Sequence, residues 1–173
     1  KEVADVLESE KISTEIIHVG IDAVNGNIDK AVKETAAMLD EVDGIVLGSP
    51  VYYASPSGEI QTFLDRLFYI HGDKLKHKPG AVVASARRAG TTAALDVLNK
   101  YLMINEMPVV SSQYWTMVHG NSPEEVRQDA EGMQTMRILG KNMAWLLRCI
   151  ETGRQAGILP ERTEERVWTN FVR

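Results

Sequence analysis

The chain has 173 residues, 24 acidic against 19 basic side chains for a net charge of −5, and a single cysteine. That length suits one domain with its own core, the acidic balance argues against a nucleic-acid partner, and one cysteine excludes an internal disulfide or a cysteine-ligated zinc or iron–sulfur site on these residues. The longest apolar runs are strand-sized, too short to span a membrane, and no signal-peptide pattern is visible, so the expectation is a cytoplasmic domain.

Residues 1–10 carry Val3, Val6 and Leu7 at helical spacing and predict a helix. Residues 13–19 predict a strand ending at Gly20, Asn25-Gly26-Asn27 a turn, and residues 28–41 a helix with Ile28, Val32, Ala36 and Leu39 on one face. Gly44-Ile45-Val46-Leu47 reads as a buried strand, and a helix from Gly58 to about Phe68 carries Phe63-Leu64-Asp65-Arg66. Ala81-Val82-Val83-Ala84-Ser85 is the next buried strand, followed by the loop 86–92 and a helix through Tyr101. Residues 108–113 predict a further strand that leaves through the loop 114–120. Ser122-Pro123-Glu124-Glu125 is a helix start, with Ser as N-cap, Pro at the first position and Glu125 as capping-box partner. A long helical pattern runs from there to about Glu151, with Gly132 and Gly140 as weak points and Cys149 as a packed thiol. Strands alternating with helices imply a parallel sheet covered on both faces.

Between the strand at 44–47 and its helix lies Gly48-Ser49-Pro50-Val51-Tyr52-Tyr53-Ala54-Ser55-Pro56-Ser57-Gly58. It sits beyond the carboxyl end of a parallel strand, where open α/β sheets bind ligands. Two prolines restrict φ, small residues allow close backbone approach, and two tyrosines offer ring faces, as in one wall of a slot for a flat ligand. An ordinary turn with a core tyrosine fits the same residues. Asp65-Arg66 reads as a structural pair or helix-end charge, and His18, His71, His77 and His119 form no metal-binding constellation.

The Gly48 to Arg66 segment resembles the flavodoxin-like NADPH-dependent FMN reductase family, in which a Gly-Ser-Pro-Val-Tyr loop, a following Gly and a Phe-Leu-Asp-Arg helix recur together. The order of elements over residues 1–153 and the Arg87-Arg88-Ala89-Gly90-Thr91 loop fit the same family, in its multimeric flavodoxin and iron–sulfur-flavoprotein-like branch. The resemblance implies a doubly wound, three-layer α/β/α fold around a five-stranded parallel sheet of order 2-1-3-4-5, with residues 154–173 as a tail that packs on a partner subunit. No strand precedes the helix at 1–10, so the first strand and its phosphate loop are expected before Lys1. Relatives often carry a longer, cysteine-containing insert near Val24-Asn25-Gly26-Asn27; its absence leaves no basis for a cluster.

The same resemblance implies that FMN lies against Ser49, Pro50, Val51, Tyr52, Tyr53, Ala54 and Gly58 on one wall. Ser85, Ala86, Arg87, Arg88, Gly90 and Thr91 would form the other, with Trp115 approaching from the last loop. An arginine there would stabilise the anionic reduced ring or hold a nicotinamide-cofactor phosphate; two solvated loop arginines are the plainer reading. No catalytic side chain is required, because the cofactor carries the chemistry, and His119 is the one candidate. The implied activity is oxidation of NAD(P)H by FMN, with electrons passed to a quinone, free flavin or another small acceptor, in a homo-oligomer of two or four copies. The alternative is a flavodoxin-like electron carrier without NAD(P)H turnover. A phosphoacceptor receiver shares the strand order but needs a lysine beyond the last strand, where Gln113 is followed by Tyr114-Trp115.

Overall fold

The computed structural model describes residues 1–161, 164, 165 and 167–169. Helices α1 (Glu2–Ser9), α2 (Gly20–Val24) and α3 (Ile28–Met38) precede strand β1 (Ile45–Tyr52), which turns back as β2 (Ser55–Pro56) before α4 (Gly58–His71). A 3-10 turn (Gly72–Leu75) leads to β3 (Gly80–Ala86), α5 (Thr91–Ile104), β4 (Met117–His119), α6 (Pro123–Val126) and α7 (Ala130–Gln155). The sheet order is β2-β1-β3-β4, with β1, β3 and β4 parallel and only β2 antiparallel.

Alternation along the strands divides the core. Leu47, Val82 and Ala84 face helices α3, α4 and α5, where Leu64, Leu67, Leu98 and Leu102 are fully buried. Val46, Ala81 and Val83 face α1 and α7, against Val3, Leu7, Leu139 and Met143. Each such leucine contributes about 2 kcal/mol through burial, and together they give the three-layer α/β/α arrangement. Gly140 does not weaken α7; a Cβ there would lie 2.8 Å from the Val6 side chain, so its absence lets α1 and α7 cross closely. Arg137 to Glu2 and Arg148 to Glu10 tie the same two helices at their rims.

Four expectations are corrected. Residues 13–19 form no strand, because a strand exists only through its ladder and no described residue pairs with the Ile45–Pro50 edge of β1; Ile16 and Ile17 are left exposed. Among the described residues the sheet has four strands, and the five-strand order 2-1-3-4-5 is not completed. The strand expected at 108–113 is reduced to one bridge, Gly80 to Val109, and the ladder resumes only at Ala84 to Met117. Four more residues are spent on this side than on β3, so the chain bulges out through Tyr114 and Trp115. The helix expected to run unbroken from Ser122 is two helices, because Asp129 starts α7 afresh by accepting the Gly132 N–H at 2.9 Å. Cys149 is exposed, since the inward stripe of α7 runs through Leu139, Met143 and Ala144 instead.

Candidate functional site

The carboxyl ends of β1, β3 and β4 lie side by side. Pro50 is opposite Ser85, Ser85 opposite Val118, and Ala86 opposite His119. What sequence reasoning takes as one loop after Leu47 is largely strand: β1 continues through Tyr52, and Val51 pairs with Pro56 and Tyr52 with Ser55. The reversal is made by Tyr53 and Ala54 alone, at φ +50° and +58°. Two successive positive φ values are the mark of a type I′ turn, normally the province of Asn and Gly. A tyrosine and an alanine there carry strain of about 1 kcal/mol or more each.

The hairpin is held from below. Buried Ser49 accepts the Ser57 N–H on its Oγ at 2.9 Å and donates to the Pro50 carbonyl at 2.7 Å. Ser57 in turn caps α4 through the Ile60 N–H, and Gln61 donates to the Pro56 carbonyl at 2.9 Å. Val51 leans on the core, while the side chains of Tyr52 and Tyr53 stand in solvent. Burial of a core tyrosine is thus not what this loop is for. Gly58 opens α4 with no atom within 4 Å of where a Cβ would sit, leaving free space on that side.

The second wall is the 86–90 loop, and it meets the first at one point. Gly90, at φ +94°, N-caps α5, and a Cβ on it would lie 2.8 Å from Ala54 Cα and 3.1 Å from Val51 Cγ1. The hairpin and the second loop are therefore in backbone contact, and only glycine fits between them. Buried Thr91 turns its hydroxyl to Met117 Sδ at 3.0 Å, so the hydroxyl is spent within the fold, while its backbone N–H lies in the first turn of α5.

Arg87 and Arg88 are exposed and have no acid partner, whereas Arg66, Arg127, Arg137, Arg148 and Arg154 each pair with a carboxylate. Among the described residues these two are thus the arginines left unmatched, and both lie at the rim of the sheet beside the hairpin. Asp65 and Arg66 do not pair with each other. Asp65 accepts from the Tyr101 hydroxyl and Arg66 holds Asp29, tying α4 to α5 and to α3. Burial, then the Asp65 hydrogen bond, holds the Tyr101 phenol well above its ordinary pKa.

Trp115 and His119 are not both beyond the last strand. Trp115 precedes β4 on the bulge, packed edge-on against Tyr114 at 4.8 Å, and His119 is the last residue of β4. His119 points Nε2 at the Arg88 carbonyl, 2.9 Å away. Three bracing residues escaped the sequence reading: Ser57, Gln61 and Asp129. Asp129 carried an N-cap signal that the apparently continuous helix from Ser122 concealed. An open groove of about 410 Å³ between α3 and α4 is a rival site, but its Arg66 and Lys74 are already matched by Asp29 and Asp40.

Exposed ring faces, backbone N–H groups at the start of α5 and two unmatched guanidiniums form a donor set suited to a flat, anionic heterocycle. Residues 1–122 match the model of the NADPH-dependent FMN reductase family. An iron–sulfur flavoprotein of Methanocaldococcus jannaschii is 30% identical over 128 residues, covering 69% of this chain and 66% of the relative. A second from that organism is 29% identical over 109 residues, covering 55% of this chain and 54% of the relative, so the chain spans between about half and two thirds of these relatives. In fold it is similar to a flavodoxin, WrbA-like protein of Agrobacterium tumefaciens, with a TM-score of 0.63 at 18% identity over 86% of this chain and 88% of that one. It is also similar to RosB with bound 8-demethyl-8-formylriboflavin-5′-phosphate, with a TM-score of 0.66 at 15% identity over 98% of this chain and 82% of that one. The chain belongs to the NADPH-dependent FMN reductase family, as a flavodoxin-like flavoprotein with FMN as its cofactor.

Proposed function

We propose that this chain forms the ring-binding part of a cytoplasmic oxidoreductase that takes reducing equivalents from NAD(P)H and passes them to a small acceptor such as a quinone or free flavin. FMN, when bound, would supply the redox chemistry, a ring that can take up a hydride and give up electrons. The residues do the rest. The 51–56 hairpin and the 86–90 loop would flank the ring, backbone groups of Ser49 and Ala54 would meet its polar edge, and Tyr52 or Tyr53 would cover a face. Arg87 and Arg88 supply positive charge where an anionic reduced ring or a dinucleotide phosphate needs it.

The observation that carries this reading is the pair of unmatched arginines beside the hairpin. An electron carrier that docks a basic partner would instead place acid at that rim. The Ile45–Pro50 edge of β1, unpaired among the described residues, supports a further parallel strand beside it as the bearer of the phosphate loop. Exposed Trp145, Ile158, Leu159 and Trp168 support self-association through α7 and the tail into two or four copies; Phe171, part of the same expectation, lies outside the described residues.

The test is FMN titration of the purified protein by fluorescence quenching, followed by steady-state NADPH and NADH oxidation with a quinone acceptor. Saturable FMN binding with turnover supports the oxidoreductase. FMN binding without turnover favours the carrier, and no binding refutes both.

A further inference from the structure

The main chain of residues 87–89 is nearly unsupported. Arg87, Arg88 and Ala89 are all exposed, and among the described residues the hydrogen bond their backbone receives is the one from His119 Nε2 to the Arg88 carbonyl, at 2.9 Å. A carbonyl only accepts, so Nε2 carries the proton and donates. His119 is itself braced. Its backbone N–H donates to Asp129 Oδ2 at 2.7 Å, and its Nδ1 stands 3.7 Å from the same oxygen. The other carboxylate oxygen caps α7 through the Gly132 N–H at 2.9 Å. Gly132 has to be glycine for this, because a Cβ there would come within 2.3 Å of Asp129 Oδ2 and displace it. Pairing of Ala86 with His119 places the imidazole at the root of the loop it holds.

Resting on the function proposed above, we propose that His119 is a positioning residue: braced on Asp129 at the start of α7, it holds the Arg88 carbonyl and so sets the course of the loop that presents the Arg87 and Arg88 guanidiniums to an anionic ligand. The ring N–H is spent on main chain, so its action on the ligand runs through the two arginines. Loss of the strut leaves the loop fixed only at Ala86 and at Gly90, and the guanidiniums wander.

The experiment compares His119→Ala, His119→Gln, Arg87→Ala/Arg88→Ala and the combination of His119→Ala with both arginine changes, all in the purified protein with FMN. Gln keeps an amide N–H at nearly the reach of Nε2, whereas Ala keeps none. One readout needs no activity: limited trypsin digestion, scored by mass for cleavage after Arg87 or Arg88. His119→Ala should speed that cut about five-fold, the effect of losing one ordinary hydrogen bond, and His119→Gln should restore the wild-type rate to within about two-fold. The second readout is the FMN dissociation constant together with KM and kcat for NADPH. Whichever constant the double arginine change weakens, His119→Ala should weaken by about five-fold with kcat nearly unchanged, and it should add nothing in the double-arginine background. A weakened FMN constant assigns the arginines to the ring edge, and a raised KM for NADPH assigns them to the dinucleotide phosphate; either fits the strut. Unchanged trypsin cleavage in His119→Ala, or losses that add fully to those of the arginine changes, would overturn it. A wild-type protein that neither binds FMN nor oxidises NADPH overturns the proposed function alone, and the trypsin comparison then still decides whether His119 holds the loop.

Discussion

Replacing Gly90 by Ala tests whether the two ligand walls are locked together. The substitution asks an L residue to adopt φ +94°, which costs about 1–2 kcal/mol. The new methyl would lie 2.8 Å from Ala54 Cα and 3.1 Å from Val51 Cγ1, where carbon atoms normally stand about 3.5–4.0 Å apart. Since a backbone atom is struck, the hairpin or the loop must move, and overpacking of this kind costs about 1–3 kcal/mol. The sum, about 2–5 kcal/mol, corresponds to a melting temperature about 5–15 °C lower for a domain of this size. FMN affinity should fall with it, because the walls part at the point where they define the slot. Ala54→Gly removes one contact, at 3.1 Å, but leaves the Cα in place; in that background Gly90→Ala should recover only part of the loss. The assay is urea unfolding of wild type, both single variants and the pair, alongside FMN titration. A Gly90→Ala protein within about 0.5 kcal/mol of wild type, with unchanged FMN affinity, refutes the reasoning.

Tyr53→Asn should separate stability from binding. Asn tolerates the left-handed backbone and Tyr53 is fully exposed, so unfolding stability should rise by about 0.5–1 kcal/mol while FMN binds more weakly if the ring stacks on the flavin; both are read in the same titrations. Tyr101→Phe should cost about 1 kcal/mol at neutral pH by removing the hydrogen bond to Asp65. Because the folded state raises the Tyr101 pKa, that residue's contribution is complete below about pH 10, the unfolded value, and is lost as pH climbs above it. The stability gap between wild type and Tyr101→Phe should therefore narrow in alkali, and a gap that widens would contradict the structure. Cys149 is exposed on α7 one turn from Trp145, so in the single chain a disulfide reagent such as Ellman's should titrate one thiol without denaturant, and self-association through that face should protect it.

The sequence by itself determined the alternation of helices and strands and the string of Pro, Tyr and small residues that follows a parallel strand at the carboxyl end of the sheet. These are local properties: apolar runs of strand length at 45–47 and 81–84, the cap at Ser122, and a string of Pro, Tyr and small residues beyond a strand. Whatever depended on a partner distant in sequence was decided only by the tertiary structure. Residues 13–19 have strand composition but no ladder, and residues 108–113 keep one bridge because the register to β3 slips by four residues before β4 forms. Cys149 lies in an apolar run yet faces out, since the crossing of α1 on Gly140 fixes which side of α7 is covered. The left-handed Tyr53-Ala54 turn is invisible to propensity, which favours other residues there; it is held by the Ser49–Ser57 hydrogen bond and the contact with Gly90, both tertiary. The roles proposed for Arg87, Arg88 and His119 follow the same rule. A charge becomes informative when every neighbour that might neutralise it is known, and a histidine when its ring has a partner, and a one-dimensional pattern records neither.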